Sequence, residues 1–311
     1  MSYSIPIHPD LEVYRPYRED QDAPENLFQK AMDHITSTAS KQSKPLIVAD
    51  LSNVLTRAIY GSNKIENAGL NKANTTYLCN LVFTGQLPSS NPPIPEQLFI
   101  NEPTLKSRSE QEIRIAQAEV IQHAKAYQHM LTSFVINKQD LTEELIKSTH
   151  KILSTDTPLR HPSSGGLAET SPSEYSGIYR NVVVGAGTTN FSVPRFIPKH
   201  MTRMVEAFSS DLQLAAKEKG GHIDPFSLAA KYSLEFVSIH PFQDGNGRMC
   251  RIILNAILCR FAGPDMVIPI GEEDDEKVEY LGIKRRASEE MEGHGEYAIF
   301  VLERCVRKLG G

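Results

Sequence analysis

The chain has 311 residues, 40% hydrophobic and 23% charged, with 33 Lys+Arg against 38 Asp+Glu and a formal net charge of −5. That composition supports a large globular core and excludes a disordered or collagen-like chain. A mildly acidic chain without Trp or a dominant basic run is also poorly suited to wrapping nucleic acid.

Cys79, Cys250, Cys259 and Cys305 form no C-x-x-C pair and no zinc-finger spacing. Free buried thiols in a reducing compartment are therefore expected. The N-terminus lacks a basic segment followed by an apolar one, and apolar runs such as Ile252-Ile253-Leu254 are far too short to cross a bilayer. The expectation is a cytoplasmic protein without membrane contact, a nuclear location staying open.

In chain order, a helix is predicted over 24–40, with Leu27, Phe28, Ala31 and Ile35 on one face. A second covers 46–66, with an interruption at Gly61. The stretch over about 84–107 carries Pro88, Pro92, Pro93, Pro95 and Pro103 and reads as an extended surface connection. Ser109 with Glu112 makes a capping box for a long helix. Its buried stripe is Ile113, Ala116, Val120, Ala124, Tyr127, Leu131 and Phe134. Asp140 with Glu143 is expected to cap the next helix, which ends near Leu153.

Residues 154–176, rich in Gly, Pro and Ser, read as loop. The β signal lies in 177–197: Val182, Val183 and Val184, a Gly185-Ala186-Gly187 turn, then Thr188 to Val193 as a hairpin. A helix follows over 198–218. Asp224 as N-cap with Pro225 at the first helical position starts another, to about Ser238. Further helices cover 247–262 and 273–308. The fold class is all-α, a helical bundle with one small hairpin. It divides into an N-terminal region, 1–139, and a region 140–311 made of a core, about 140–270, and C-terminal helices.

One segment carries chemistry: His240-Pro241-Phe242-Gln243-Asp244-Gly245-Asn246-Gly247-Arg248-Met249-Cys250-Arg251. Gly245 and Gly247 permit a tight turn and close backbone approach to a ligand. Amides around Asn246 then open a helix, and a helix start is an anion site. Arg248 and Arg251, three apart, share one face near that start. Two arginines over an amide nest suit a row of phosphates. Asp244 is the loop's only acid, the usual protein share of a Mg²⁺ site beside a polyphosphate. His240 can act as a base near neutral pH. The residues describe a nucleotide phosphate cradle with metal and base.

This stretch resembles the Fic signature H-P-F-x-[D/E]-G-N-G-R-x-x-R, and every specified position matches. The resemblance implies the Fic fold, with its core over about 140–270, and protein adenylyltransferase activity: transfer of AMP from ATP to a target-protein hydroxyl. His240 would deprotonate a Ser, Thr or Tyr and Asp244 would hold Mg²⁺. Gly245, Asn246 and Gly247 would form the anion nest, and Arg248 and Arg251 would hold the outer phosphates. Upstream, Ser62-Asn63-Lys64-Ile65-Glu66-Asn67 is similar to the family's inhibitory pattern [S/T]-x-x-x-E-[G/N]. There the resemblance implies that Glu66 pairs with Arg251 and excludes productive ATP, with Ser62 and Asn67 framing it. Gly177-Ile178-Tyr179-Arg180 and the valines Val182, Val183 and Val184 resemble the flap that docks target peptides.

Several side readings stay open. Asn255 either orients the phosphate loop or makes a buried polar contact. Tyr280 and Leu281 pack in the core or touch the nucleoside. His123 and His150 read as ordinary helix residues, and Glu272 to Glu276 as a solvated helix start. Self-modification and a homodimer are open as well. The rival functions are removal of AMP from a modified protein, transfer of another phosphate-containing group, and a nucleotide-binding regulator without turnover.

Overall fold

The computed structural model describes residues 5–14, 24–39, 48–88, 92, 94–96, 102–163, 166–186, 189–217, 220–289 and 293–309. The elements are α1 (Leu11–Tyr14), α2 (Pro24–Ala39), α3 (Ser52–Ile65), α4 (Lys72–Phe83), α5 (Glu110–Met130) and α6 (Glu143–Leu153), then strands β1 (Leu159–Ser163) and β2 (Gly166–Thr170). There follow α7 (Pro172–Tyr175), β3 (Gly185–Ala186), β4 (Thr189–Asn190), α8 (Ile197–Lys217), α9 (Pro225–Ile239), α10 (Asn246–Phe261), α11 (Asp274–Glu289) and α12 (Gly295–Leu309). The all-α class holds. None of the described helices is long and apolar enough to cross a membrane.

The long helix α5 starts as its sequence dictates. Ser109 and Glu112 satisfy each other's backbone N–H groups, completing the capping box. The helix continues as a π-helical turn over Leu131–Ile136, which keeps Phe134 on the buried stripe. The cap of α6 differs from expectation. Thr142, not Asp140, accepts from Leu145 N–H at 3.1 Å, since the first orphan amides lie nearest that hydroxyl. Asp224 caps α9 through Phe226 and Ser227 N–H, and its other oxygen accepts from the Tyr14 hydroxyl at 2.6 Å. That bond ties the N-terminal segment to the helix that carries the site.

Helix α4 has no counterpart in the sequence reading. Its Asn-Thr-rich start hides the period, yet Leu78, Cys79, Val82 and Phe83 line one buried face. The Pro-rich connection is packed down: Pro92 carbonyl accepts from Gln117 of α5 at 2.7 Å, and Pro103–Ser107 forms a 3-10 turn. Other residues within 84–107 lie outside the described set.

The β content is arranged differently from expectation. β1 and β2 pair antiparallel inside the stretch read as loop. The flap hairpin exists but is short: β3 pairs with β4, Gly185 opposite Asn190, and Val182, Val183 and Val184 lie outside its ladder. The backbone there is diverted because the Arg180 guanidinium takes the Val182 carbonyl at 2.8 Å. Helix 273–308 is two helices, and the 290–292 junction lies outside the described residues.

The core is one cluster running through α2 to α12. α9 and α10 pack along their lengths, so the loop between them is held at both ends. Gly61 does not interrupt α3. A Cβ there would strike the Ile270 carbonyl and come within 2.9 Å of Glu272 N, so glycine lets α3 press on the 270–272 backbone. Gly61→Ala should therefore lower stability by about 1–3 kcal/mol despite alanine's better helix propensity. Thermal melting is the check: a Tm equal to or above wild type would mean that this backbone yields freely.

Candidate active site

The motif loop joins the end of α9 to the start of α10. His240 ends α9 in the left-handed conformation, φ 52°, which turns the chain sharply into Pro241. Its Nδ1 lies 3.1 Å from the Val237 carbonyl. A carbonyl only accepts, so Nδ1 carries the proton and Nε2 keeps its lone pair. Phe191 stacks on the imidazole, centroids 3.7 Å apart. Burial, ahead of the nearby Arg180 charge, lowers the His240 pKa to about 4 against the Val237 contact, so the ring is neutral at pH 7.

The loop is stapled by Asn246, whose side chain accepts from Phe242 N–H at 2.9 Å and donates to Phe242 carbonyl at 2.8 Å. The Asn246 side chain is thus turned inward, and only its backbone faces the nest. Gly245 is left-handed, φ 74°, immediately before α10. His150, read as an ordinary histidine, is a strut. It accepts from Gly177 N–H through Nδ1 and donates through Nε2 to the Asp244 carbonyl, both at 2.9 Å. Its ring stacks on Phe242 at 3.7 Å.

Arg248 is buried and donates to Asp244 at 2.7 Å through Nη2. Its Nε and Nη1 are buried with no partner among the described residues. Buried guanidinium donors are not left unsatisfied without cost, so they mark a place for an anion. The Asp244 carboxylate is 47% exposed and commits one oxygen to Arg248. Its second oxygen is available, and no group of three or more metal-ligating side chains occurs among the described residues. A single carboxylate beside a phosphate site fits Mg²⁺ completed by phosphate and water.

Folding brings the two distant motifs together. Arg251 Nη2 meets Glu66 Oε1 at 2.5 Å across 185 positions. Arg251 also donates to Ser62 Oγ at 2.7 Å and to the Ser62 carbonyl at 3.1 Å. Ser62 and Glu66 are four apart and so share a face of α3. Burial opposes the Arg251 charge, but Tyr280 and Glu66 outweigh it and raise its pKa. Burial likewise opposes the Glu66 charge, and Arg251 with Arg248 outweighs it, so the carboxyl lies below its ordinary range. A Cβ on Gly247 would collide with Glu66 Oε1. The carboxylate therefore sits over the first turn of α10, where an anion belongs.

Asn67 does not touch Arg251. It holds the left-handed position, φ 54°, of a Schellman end: Asn67 N–H bonds to Lys64 carbonyl at 3.3 Å and Ala68 N–H to Asn63 carbonyl at 2.9 Å. Gly or Asn after the Glu is explained by that backbone alone.

The remaining residues sort as follows. Asn255 makes buried polar contacts, with Tyr127 hydroxyl and both backbone groups of Ile268. Tyr280 is buried, and its hydroxyl accepts from Arg251 at 3.4 Å and Lys284 at 3.1 Å. Leu281 is exposed. His123 is buried against Asn63 at 2.9 Å. Glu272 is not simply solvated: it pairs with Arg57 and Lys72. Sequence reasoning assigned no individual role to two further groups, Arg180 and Phe191. Arg180 donates to the carbonyls of His240, Val182 and Ser192 at 2.7, 2.8 and 2.6 Å, locking the flap to the catalytic loop. Phe191 was hidden because nothing in its local pattern points to a histidine 49 residues away.

Comparison with known proteins agrees with this geometry. The Fic/DOC family model matches residues 140–258. A Fido domain-containing protein of Dictyostelium discoideum is 35% identical over 126 residues, covering 40% of this chain and 83% of that protein. The protein adenylyltransferase fic-1 of Caenorhabditis elegans is 30% identical over 137 residues, 40% of this chain but only 27% of that protein. Among solved structures, Fic-1 (residues 134–508) from C. elegans superposes with a TM-score of 0.60 at 19% identity, covering 91% of this chain and 72% of that one. A Fic domain-containing signaling protein from Bacteroides thetaiotaomicron gives 0.56 at 20% identity, covering 91% and 94%. The chain belongs to the Fic/DOC family.

Proposed function

We propose that this chain is a protein adenylyltransferase that moves AMP from ATP to a Ser, Thr or Tyr hydroxyl of a protein, and that Glu66 holds it down. The observation that carries the reading is His240 with Nδ1 held by the Val237 carbonyl and Nε2 without a partner among the described residues, beside an amide nest backed by two buried arginines. Nε2 takes the proton of the acceptor hydroxyl. The oxygen bonds to the α-phosphorus, the bond to the β-phosphate oxygen breaks, and pyrophosphate leaves. The amides at 245–247 with Arg248 and Arg251 lie where charge grows on the leaving group, so they favour the transition state over the ground state. Mg²⁺, held by Asp244, would offset phosphate charge. Four buried free cysteines suit a reducing compartment such as the cytoplasm.

Mass spectrometry of candidate proteins incubated with the enzyme, ATP and Mg²⁺ is the test. Gain of AMP on protein supports the reading; no change with enzyme freed of Glu66 sinks it. Loss of AMP from a pre-modified protein would favour hydrolytic removal of AMP, in which the half-open Glu66 carboxylate could position the attacking water. Asp244→Ala should raise the Mg²⁺ midpoint of transfer, because no second carboxylate lies in the loop. An unchanged midpoint in a Mg²⁺ titration would place the ion elsewhere.

A further inference from the structure

We propose that Glu272 is a positioning residue for the inhibitory carboxylate: by holding one cation on each arm of the α3–α4 hairpin, it keeps Glu66 seated on Arg251. The proposal rests on the inhibitory reading of Glu66 and adds what maintains that seat. Residues 66–71 join α3 to α4, and Glu66 opens this connection. Arg57 lies on α3 before it, and Lys72 starts α4 after it. Both reach the same carboxylate. Arg57 Nε donates to Glu272 Oε2 at 2.9 Å, and its Nη2 lies 2.7 Å from that oxygen. Lys72 Nζ lies 3.0 Å from Oε1.

The Glu272 side chain is 9% exposed, those of Arg57 and Lys72 45% and 61%. A carboxylate so little exposed needs counter-charges, and both come from the hairpin. Burial opposes its charge, but Arg57 and Lys72 outweigh it, so the carboxyl lies below its ordinary range. Helix placement points the same way. The first turn of α4 holds no acid, and a cation at a helix start is unfavourable unless an anion answers it. Glu272 is that anion.

The adjoining residues complete the seat. Lys64 Nζ donates to the Glu272 carbonyl at 2.8 Å and pairs with Asp274 at 3.0 Å. Lys277 Nζ returns to the Lys64 carbonyl at 3.2 Å, at the end of α3. Ile65 packs so closely on Gly271 that a Cβ there would strike its side chain. The same segment runs into α11, whose Tyr280 hydroxyl accepts from Arg251. One stretch, 271–280, thus touches both the helix that carries the inhibitor and the arginine it blocks. The body of α3 is fixed separately, through Leu55 and Ile59 in the core. Loss of Glu272 therefore acts on the last turn and the connection more than on the whole fold, since ion pairs with exposed partners add little to global stability.

Two readouts test this. Hydrogen exchange of the 62–68 amides reports opening of the α3 end without any turnover, and labelled-AMP transfer reports its consequence. Glu272→Gln keeps the shape and removes the charge. It should speed exchange at 62–68 about two- to fivefold, leave exchange over 201–215 of α8 unchanged, and raise transfer by a similar factor. In a Glu66→Gly background it should add nothing to transfer, because the carboxylate being positioned is gone. Arg57→Glu with Lys72→Glu should open the end further, and adding Glu272→Arg should bring exchange back toward wild type by restoring opposite charges. Unchanged exchange at 62–68 in Glu272→Gln, a triple variant that exchanges as fast as the double, or a further gain in transfer on top of Glu66→Gly would overturn the proposal. Failure of Glu66→Gly itself to speed transfer would instead strike the inhibitory reading, while exchange still decides whether Glu272 holds the helix end.

Discussion

His240→Ala should lower AMP transfer by about 10²–10⁴-fold, the usual effect of removing a general base, while ATP affinity stays within about twofold. The split follows from geometry. On the proposed reading Nε2 takes the acceptor proton, whereas phosphate binding belongs to the α10 amides, Arg248 and Arg251. The wild-type pH profile carries a matching signature. A free histidine loses its base function below about pH 6.5. Here burial stabilises the neutral ring and lowers the pKa to about 4. Transfer should therefore persist as pH falls through 6 and decline only toward that lower value. The fold is linked the same way for His150, whose pKa burial also lowers to about 4. The neutral ring's contribution is complete above about pH 6.5 and diminishes as pH falls through that window. Near-wild-type transfer by the alanine variant would remove His240 from the chemistry; an acid limb near 6.5 in kcat/KM would instead overturn the burial-lowered pKa.

Glu66→Gly should raise transfer about five- to thirtyfold. An exposed ion pair is worth about 0.2–1 kcal/mol and a charge-assisted bond about 1.5–3. The Glu66 side chain is 36% exposed and that of Arg251 only 4%, so solvent screens one partner of the pair. An intermediate value of about 1–2 kcal/mol is appropriate, which gives the stated factor. The substitution acts twice: it frees the Arg251 guanidinium, and it clears the carboxylate from over Gly247. Glu66→Gly with Arg251→Ala should forfeit the gain, because the freed arginine is then missing. Labelled-AMP transfer by wild type, single and double variants at saturating Mg²⁺ measures both effects. A folded Glu66→Gly variant no faster than wild type would end the inhibitory reading and leave the water-positioning role for that carboxylate.

Sequence by itself determined the helical class, because the stripe from Ile113 to Phe134 repeats at helical spacing and its cap is local. It also marked residues 240–251 as the candidate site, since histidine, glycines, arginines and carboxylate lie within one turn and one helix start. What it misplaced were matters of competition between neighbours. Thr142 out-competed Asp140 for the α6 cap, and Val182 gave its carbonyl to the Arg180 guanidinium. The roles of His150, Arg180 and Phe191 depend on partners dozens of residues away, for which no local pattern exists. The tertiary structure alone decided that Glu66 lies on Arg251: 185 residues separate them, and the Ser62 bonds to Arg251, the Schellman turn at Asn67 and the Gly61 contact with the 270–272 backbone all hold the end of α3 in place. A carboxylate at the end of one helix meets the start of another only when packing seats it there.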